Sequence, residues 1–222
     1  MGAHTPAFPL TGAPLAVKPL LRGVSHQVAF FISLVAGAVL AWNVPPQFRV
    51  SAIVYGLSLA TLLGVSALYH RPQWSKVARN RMRKLDHASI FVLIAGTATP
   101  FCARLPPQFG DRFLIIIWTL GALGVLRAVF WTDAPKPLVA ILAIGMGWSV
   151  TPYWREMAEL LGPTGMALFV AGGILYSGGA LAYALKRPNP WPRVFGYHEI
   201  FHAAVILAAA CHFIAITRVL LA

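Results

Sequence analysis

Phe195–Ala222 reads FGYHEIFHAAVILAAACHFIAITRVLLA, and eighteen consecutive residues between Glu199 and Arg218 include no Asp, Glu, Lys or Arg. At 1.5 Å rise per residue, a helix needs roughly 20 apolar residues to cross the ~30 Å hydrocarbon layer. Val194–Thr217, interrupted by Glu199 alone, is long enough to be such a span. Lipid offers no partner for an open sheet edge, so the span must be a helix.

Working outward, the same pattern recurs six times. Gly23–Gln47 is closed by Pro45-Pro46, and Val50–His70 follows it. Leu85–Ala103 carries Asp86 near its start, and Phe113–Leu126 extends to Trp131 if Arg127 snorkels to the interface. Pro137–Trp154 and a span within Leu160–Leu185 complete the set. Composition agrees: 58% of the 222 residues are hydrophobic, 11% are charged, and the mean hydropathy is +0.70. A soluble domain is about 25% charged. These values exclude a soluble single-core enzyme, a disordered chain and a secreted disulfide scaffold. The two cysteines, Cys102 and Cys211, lie in apolar runs and suit packing better than metal binding or a disulfide framework. The expected fold is therefore all-α: a polytopic membrane protein of seven transmembrane helices over residues 23–222. Residues 1–22 form a short cytoplasmic tail, because Lys18 and Arg22 come too late for the basic start of a signal peptide.

The net charge of +12 reads as topology rather than nucleic-acid binding. Lys18 and Arg22, the run Arg71–Lys84, Arg127 to Lys136, and Lys186 to Arg193 all fall on one side, with a net charge of +12. The opposite loops and the C-terminus carry +2, and Asp86 and Glu199 stay within the spans. The basic side is cytoplasmic by the positive-inside rule, which places the N-terminus inside and the C-terminus outside. RPQWSKVARNRMRK, between spans two and three, should also attract anionic lipid. Trp42, Trp118, Trp131, Trp148, Trp154 and Trp191 sit mostly near span ends, as interfacial anchors do. Gly121 and Gly124 in span four, and Gly172, Gly173, Gly178 and Gly179 in span six, suit close helix packing.

Ionisable residues inside spans are costly and mark candidate sites. Orientation puts His70 at the cytoplasmic end of span two, Asp86 in the first turn of span three, and His198 and His202 in the first turns of span seven. His198 and His202 are four residues apart and share a helix face, as do Ser66 and His70. Three neutral imidazoles suit Zn²⁺ and leave a fourth position for water, whose pKa such a metal lowers to about 7. Asp86 can hold and deprotonate that water, and Ser66 can hydrogen-bond a substrate carbonyl or the developing oxyanion. The same histidines can instead form a proton relay or an interhelical hydrogen bond. Glu199 is expected to face a loop or bond behind the site. His87 points away from the Asp86 face, and His26, at the start of span one, either supports the site from behind or, as the preferred reading, lies at the interface. His212 lies about 21 Å along the axis from His198, too far to be a ligand.

SALYH (Ser66–His70), LDHASIFVLIAGTATPF (Leu85–Phe101) and FGYHEIFHAAVILAAACHF (Phe195–Phe213) are similar to three signature stretches of the bacterial hemolysin III family. That family is related to the adiponectin and progestin receptors and, more distantly, to alkaline ceramidases. The resemblance implies seven helices with the N-terminus inside, and zinc on His70, His198 and His202. It also implies a water-mediated role for Asp86 and a nearby Ser66. The chain departs from many relatives in the first span. LLRGVSH (Leu20–His26) lacks the acidic residue and Asn that they carry ahead of the histidine.

Three function classes follow. The first is a zinc-dependent hydrolase of a ceramide-like lipid amide, reached from the cytoplasmic leaflet. The second is a receptor-like or membrane-lipid-homeostasis protein with structural zinc. The third is a cytolysin, for which a strongly apolar chain without a signal peptide is a poor match. Expected partners are membrane lipids and a lipid substrate or ligand, not nucleic acid, and the expected location is the inner (plasma) membrane. Reporter fusions active only outside the cytoplasm should work at Ala222 and fail within Arg71–Lys84; the reverse pattern refutes this topology and the layer shared by the four polar residues.

Overall fold

A computed structural model describes residues 19–222; of the expected tail, residues 1–18 lie outside the described residues. The described residues form α1 (Val24–Asn43), α2 (Arg49–His70), α3 (Lys76–Arg104), α4 (Pro107–Phe130), α5 (Lys136–Trp148), α6 (Trp154–Leu185) and α7 (Tyr197–Leu221). Two single-turn 3₁₀ helices, Pro46–Phe48 and Thr151–Tyr153, lead into α2 and α6. Among these residues, six stretches are long and apolar enough to cross a bilayer. Five coincide with α1, α2 with its leading turn, α3, α4 and α7; the sixth is the 50-residue stretch Lys136–Leu185. Within it, α5 has 13 residues, about 20 Å of helix, and does not span ~30 Å alone. Further along, Gly162 leaves helical geometry (φ 62°, ψ 178°) just before Pro163, so α6 bends there.

Several boundaries differ from the sequence reading. α3 starts inside the basic run rather than at Leu85, because Ser75 caps it: the Ala78 amide donates to the Ser75 hydroxyl at 3.3 Å. Asp86 therefore lies about three turns into a helix, not in its first turn. α4 is longer than its charge-free run, with Asp111 and Arg112 near its start and Arg127 in its last turn. The Arg127 guanidinium lies over the Phe91 ring, 5.3 Å from the centroid, and packs against α3. Trp148 is not an interfacial anchor either. It lines the internal cavity and donates from Nε1 to the Ser177 hydroxyl at 3.0 Å.

Sequence neighbours pack side by side, and α3 and α7 also contact elements beyond their neighbours, α3 meeting α5 and α7, and α7 meeting α1. Outward faces are apolar: Trp42 is 84% exposed, Phe130 82% and Ile115 69%. Such exposure would be unfavourable in water and is natural in lipid. Small residues set the helix spacing inside. A Cβ on Gly124 would meet the Phe91 ring at 2.2 Å, and one on Gly172 would meet the His212 ring at 2.4 Å. Gly37 and Gly56 face each other where α1 crosses α2, with 3.2 Å from a Cβ on the first to the Cα of the second. Gly178, grouped with these in the sequence, has nothing within 4 Å of its Cβ position. Gly124→Ala should cost about 1–3 kcal/mol through overpacking. Gly178→Ala should leave stability unchanged or slightly higher, as measured by thermal unfolding of both variants in detergent.

Candidate metal centre

His70 is the last residue of α2; His198 and His202 occupy the first two turns of α7. The end of one helix and the start of another thus meet on one level. All three side chains are buried, with exposures of 8%, 9% and 1%. One ring nitrogen from each lies within 4.8 Å of the others. His70 Nε2 and His198 Nε2 are 3.1 Å apart. Ligands ~2.05 Å from a tetrahedral zinc stand roughly 3.3 Å from one another, so this separation needs little adjustment. An all-imidazole donor set suits zinc, copper, iron or nickel better than magnesium or calcium. The three residues fit a metal ion on both geometry and donor chemistry.

The surroundings hold these rings in place. His26 of α1 stacks on His202 with centroids 3.8 Å apart and planes 7° apart. His26 is 2% exposed, so of its two sequence readings the supporting position holds and the interfacial one does not. Its approach depends on Gly23, where φ is +79° and an added Cβ would lie 2.7 Å from the His70 Cβ. Both the left-handed backbone and the missing side chain favour glycine there. Glu199 is also buried. Its Oε1 pairs with the Arg22 guanidinium, and its Oε2 accepts from the Gly196 amide at 2.8 Å, closing the first turn of α7. The Leu20 amide donates to the Arg193 carbonyl at 3.1 Å, so the chain ahead of α1 is fastened to the turn ahead of α7.

Asp86 and Ser66 come together as well. They share a cavity of about 500 Å³ with His26, His70, His198 and His202. His87, expected to point elsewhere, lines the same cavity. The cavity continues between α3, α5, α6 and α7 to His212, whose Nε2 donates to the Phe169 carbonyl at 3.0 Å. Committed to that carbonyl and outside the three-histidine cluster, His212 is no ligand of it. Cys102 and Cys211 are free thiols. Spacing alone could not find His26, which pairs with no residue of its own helix. Its sequence signals were an ionisable residue at the start of an apolar run and its place in the first-span stretch Leu20–His26.

Residues 15–213 match the family model described as haemolysin-III related. The chain belongs to the haemolysin-III-related family. It is 31% identical to Hemolysin-3 of Bacillus cereus over 201 residues, covering 88% of this chain and 89% of that protein. Identity to the Hemolysin-3 homolog of Bacillus subtilis (strain 168) is 30% over 206 residues, covering 88% and 91%. The adiponectin receptor protein of Drosophila melanogaster is 28% identical over 188 residues, 72% of this chain but 41% of that protein. Together with the six apolar stretches, membership makes this haemolysin-III relative a multi-pass membrane protein. Purified protein should carry about one transition-metal ion per chain. His202→Ala should lose most of it and His212→Ala should retain it, as read by elemental analysis; equal metal in wild type and His202→Ala would remove His202 from the donor set.

Proposed function

We propose that the protein is a zinc-dependent hydrolase of lipid amides, of ceramide-like form, in the inner (plasma) membrane. One observation carries this reading: three buried imidazoles converge in a largely apolar cavity that also holds a carboxylate and a hydroxyl. Water-soluble substrates have little reason to enter such a space, whereas an acyl chain does. The topology goes with it. Lys136–Leu185, at 50 residues, is about twice one crossing, and we read it as the fifth and sixth of seven spans, the fifth running on from α5 through the 3₁₀ turn Thr151–Tyr153. Seven spans with the N-terminus in the cytoplasm place the histidines in the cytoplasmic leaflet and the C-terminus outside.

In this reading His70, His198 and His202 hold the zinc. When bound, zinc supplies Lewis acidity, polarising a carbonyl and lowering the pKa of a coordinated water to about 7. Asp86 accepts the proton from the attacking water and returns it to the departing amine, so that the C–N bond breaks to give a fatty acid and an amine. Ser66 donates a hydrogen bond to the carbonyl oxygen as negative charge develops there. His26, stacked on His202, keeps that ring from tilting out of the donor set. The amphipathic part of the work falls to the cavity wall, which holds the acyl chain and keeps bulk water out.

A second reading, a receptor-like or membrane-lipid-homeostasis protein with structural zinc, has one observation in its favour. The cluster joins the end of α2 to the start of α7, elements distant in sequence, and a metal there would tie them together. Fatty-acid release from ceramides and related N-acyl lipids separates the two. Asp86→Ala and Ser66→Ala should both retain zinc and slow turnover, Ser66→Ala by about 10²–10³. Equal, low activity in wild type and both variants favours the structural reading.

A further inference from the structure

The cavity is chemically lopsided. Arg22, Arg79, Arg83 and Lys136 line its polar end together with Asp86 and Asp133, whereas its far end is walled by residues such as Phe101, Phe113, Ile117 and Phe169. Two of the four cations are occupied: Arg22 pairs with Glu199, and Arg83 Nη2 donates to Asp133 at 2.7 Å. Among the described residues, Arg79 and Lys136 have no carboxylate partner. Lys136 is not a solvated surface lysine. Its ammonium lies 4.1 Å from the Tyr183 ring centroid and 5.4 Å from that of Tyr197. The Tyr183 ring in turn stands edge-on to His198, 5.3 Å away at 76°. One aromatic ring thus separates a fixed cation from the histidine cluster.

We infer that the polar end of this cavity binds an oxyanion, carboxylate or phosphate, carried on the amine half of an N-acylated lipid. The inference rests on the lipid-amide reading above and narrows its substrate class. A neutral amide lipid would place its acyl chain in the apolar part and its amide at the histidines, and would leave Lys136 and Arg79 unanswered. A partly desolvated ammonium without a counter-ion is unfavourable, and an arriving anion relieves that cost. Cations that only orient a loop need not line a cavity: Arg81 and Lys84, in the same basic run, do not. Tyrosine faces hold Lys136 by cation–π contact without neutralising it, so the charge stays available to a ligand.

The test is equilibrium binding to the full-length, zinc-loaded protein in neutral detergent. N-palmitoylglycine supplies a carboxylate, N-palmitoyl phosphoethanolamine a phosphate and N-palmitoylethanolamine no charge; palmitoyl lysophosphatidylglycerol is an anion without an amide. Either or both charged amides should bind about tenfold tighter than the neutral one or better, and the two arms identify the preferred oxyanion. Lys136→Met, which keeps the apolar stem, should lose that margin while binding the neutral amide as wild type does. A purely structural Lys136 would weaken all ligands alike. If Lys136→Met fails to fold, Arg79→Gln, at an exposed position, should narrow the same margin. The inference is overturned if the neutral amide binds as tightly as both charged amides, or if lysophosphatidylglycerol binds as tightly as the preferred charged amide. Its failure is distinct from failure of the parent reading. Hydrolysis without charge preference sinks the inference alone, and charge preference without hydrolysis of any N-acyl compound sinks the parent reading.

Discussion

A polar group at membrane depth must be answered inside the protein, because hydrocarbon offers it no partner. That constraint organises this molecule. Its helices expose Trp, Phe, Ile and Val and turn inward the few residues that lipid could not tolerate. His26, His70, His198 and His202 collect in one buried layer, with Asp86 and Ser66 on the wall of the adjoining cavity. The buried Glu199 carboxylate follows the same rule, held by Arg22 and the Gly196 amide. Hydrophobic burial cannot drive helix association in lipid, where tails are as apolar as leucine. Close packing and polar contacts take over that role.

Close packing is where the glycines enter. Gly23, Gly124 and Gly172 each stand where a Cβ would collide with a neighbouring helix, and Gly37 and Gly56 where it would crowd one. Two of them bear directly on the polar interior. Gly23 admits the start of α1 against His70, and Gly172 makes room for the His212 ring. Spacing between helices and placement of histidines are thus one problem, solved by leaving out side chains. The Arg22–Glu199 pair and the Leu20–Arg193 hydrogen bond complete it by fastening the two chain segments that lead into α1 and α7.

The cavity joins two chemistries that rarely coexist within a membrane: an ionisable cluster, and an apolar volume about the size of a small ligand site. A metal at the cluster would draw the three imidazoles into one donor set. Lys136, folded over Tyr183 and Tyr197, extends the polar end toward the helix termini. The site thus presents, in order, fixed positive charge, nitrogen donors with a carboxylate nearby, and a long apolar wall.

From the sequence alone, the all-helical membrane character was legible, because charge-free runs of membrane length have few other uses. So were the candidate ligands: helical periodicity pairs His198 with His202, and topology brings His70 to the same end. Only the tertiary structure decided that His26 joins them, since it comes from a separate helix and no spacing rule reaches across helices. The same holds for Arg127 on Phe91, Trp148 in the cavity wall and Lys136 over its tyrosines: each looked like an interfacial residue or part of a charged loop in one dimension. Helix ends were misjudged where a local cap outweighed hydropathy, as Ser75 does in starting α3 well before its apolar run. Hydropathy reports where lipid lies, whereas hydrogen bonding decides where a helix begins, and contacts between helices decide which polar residues meet.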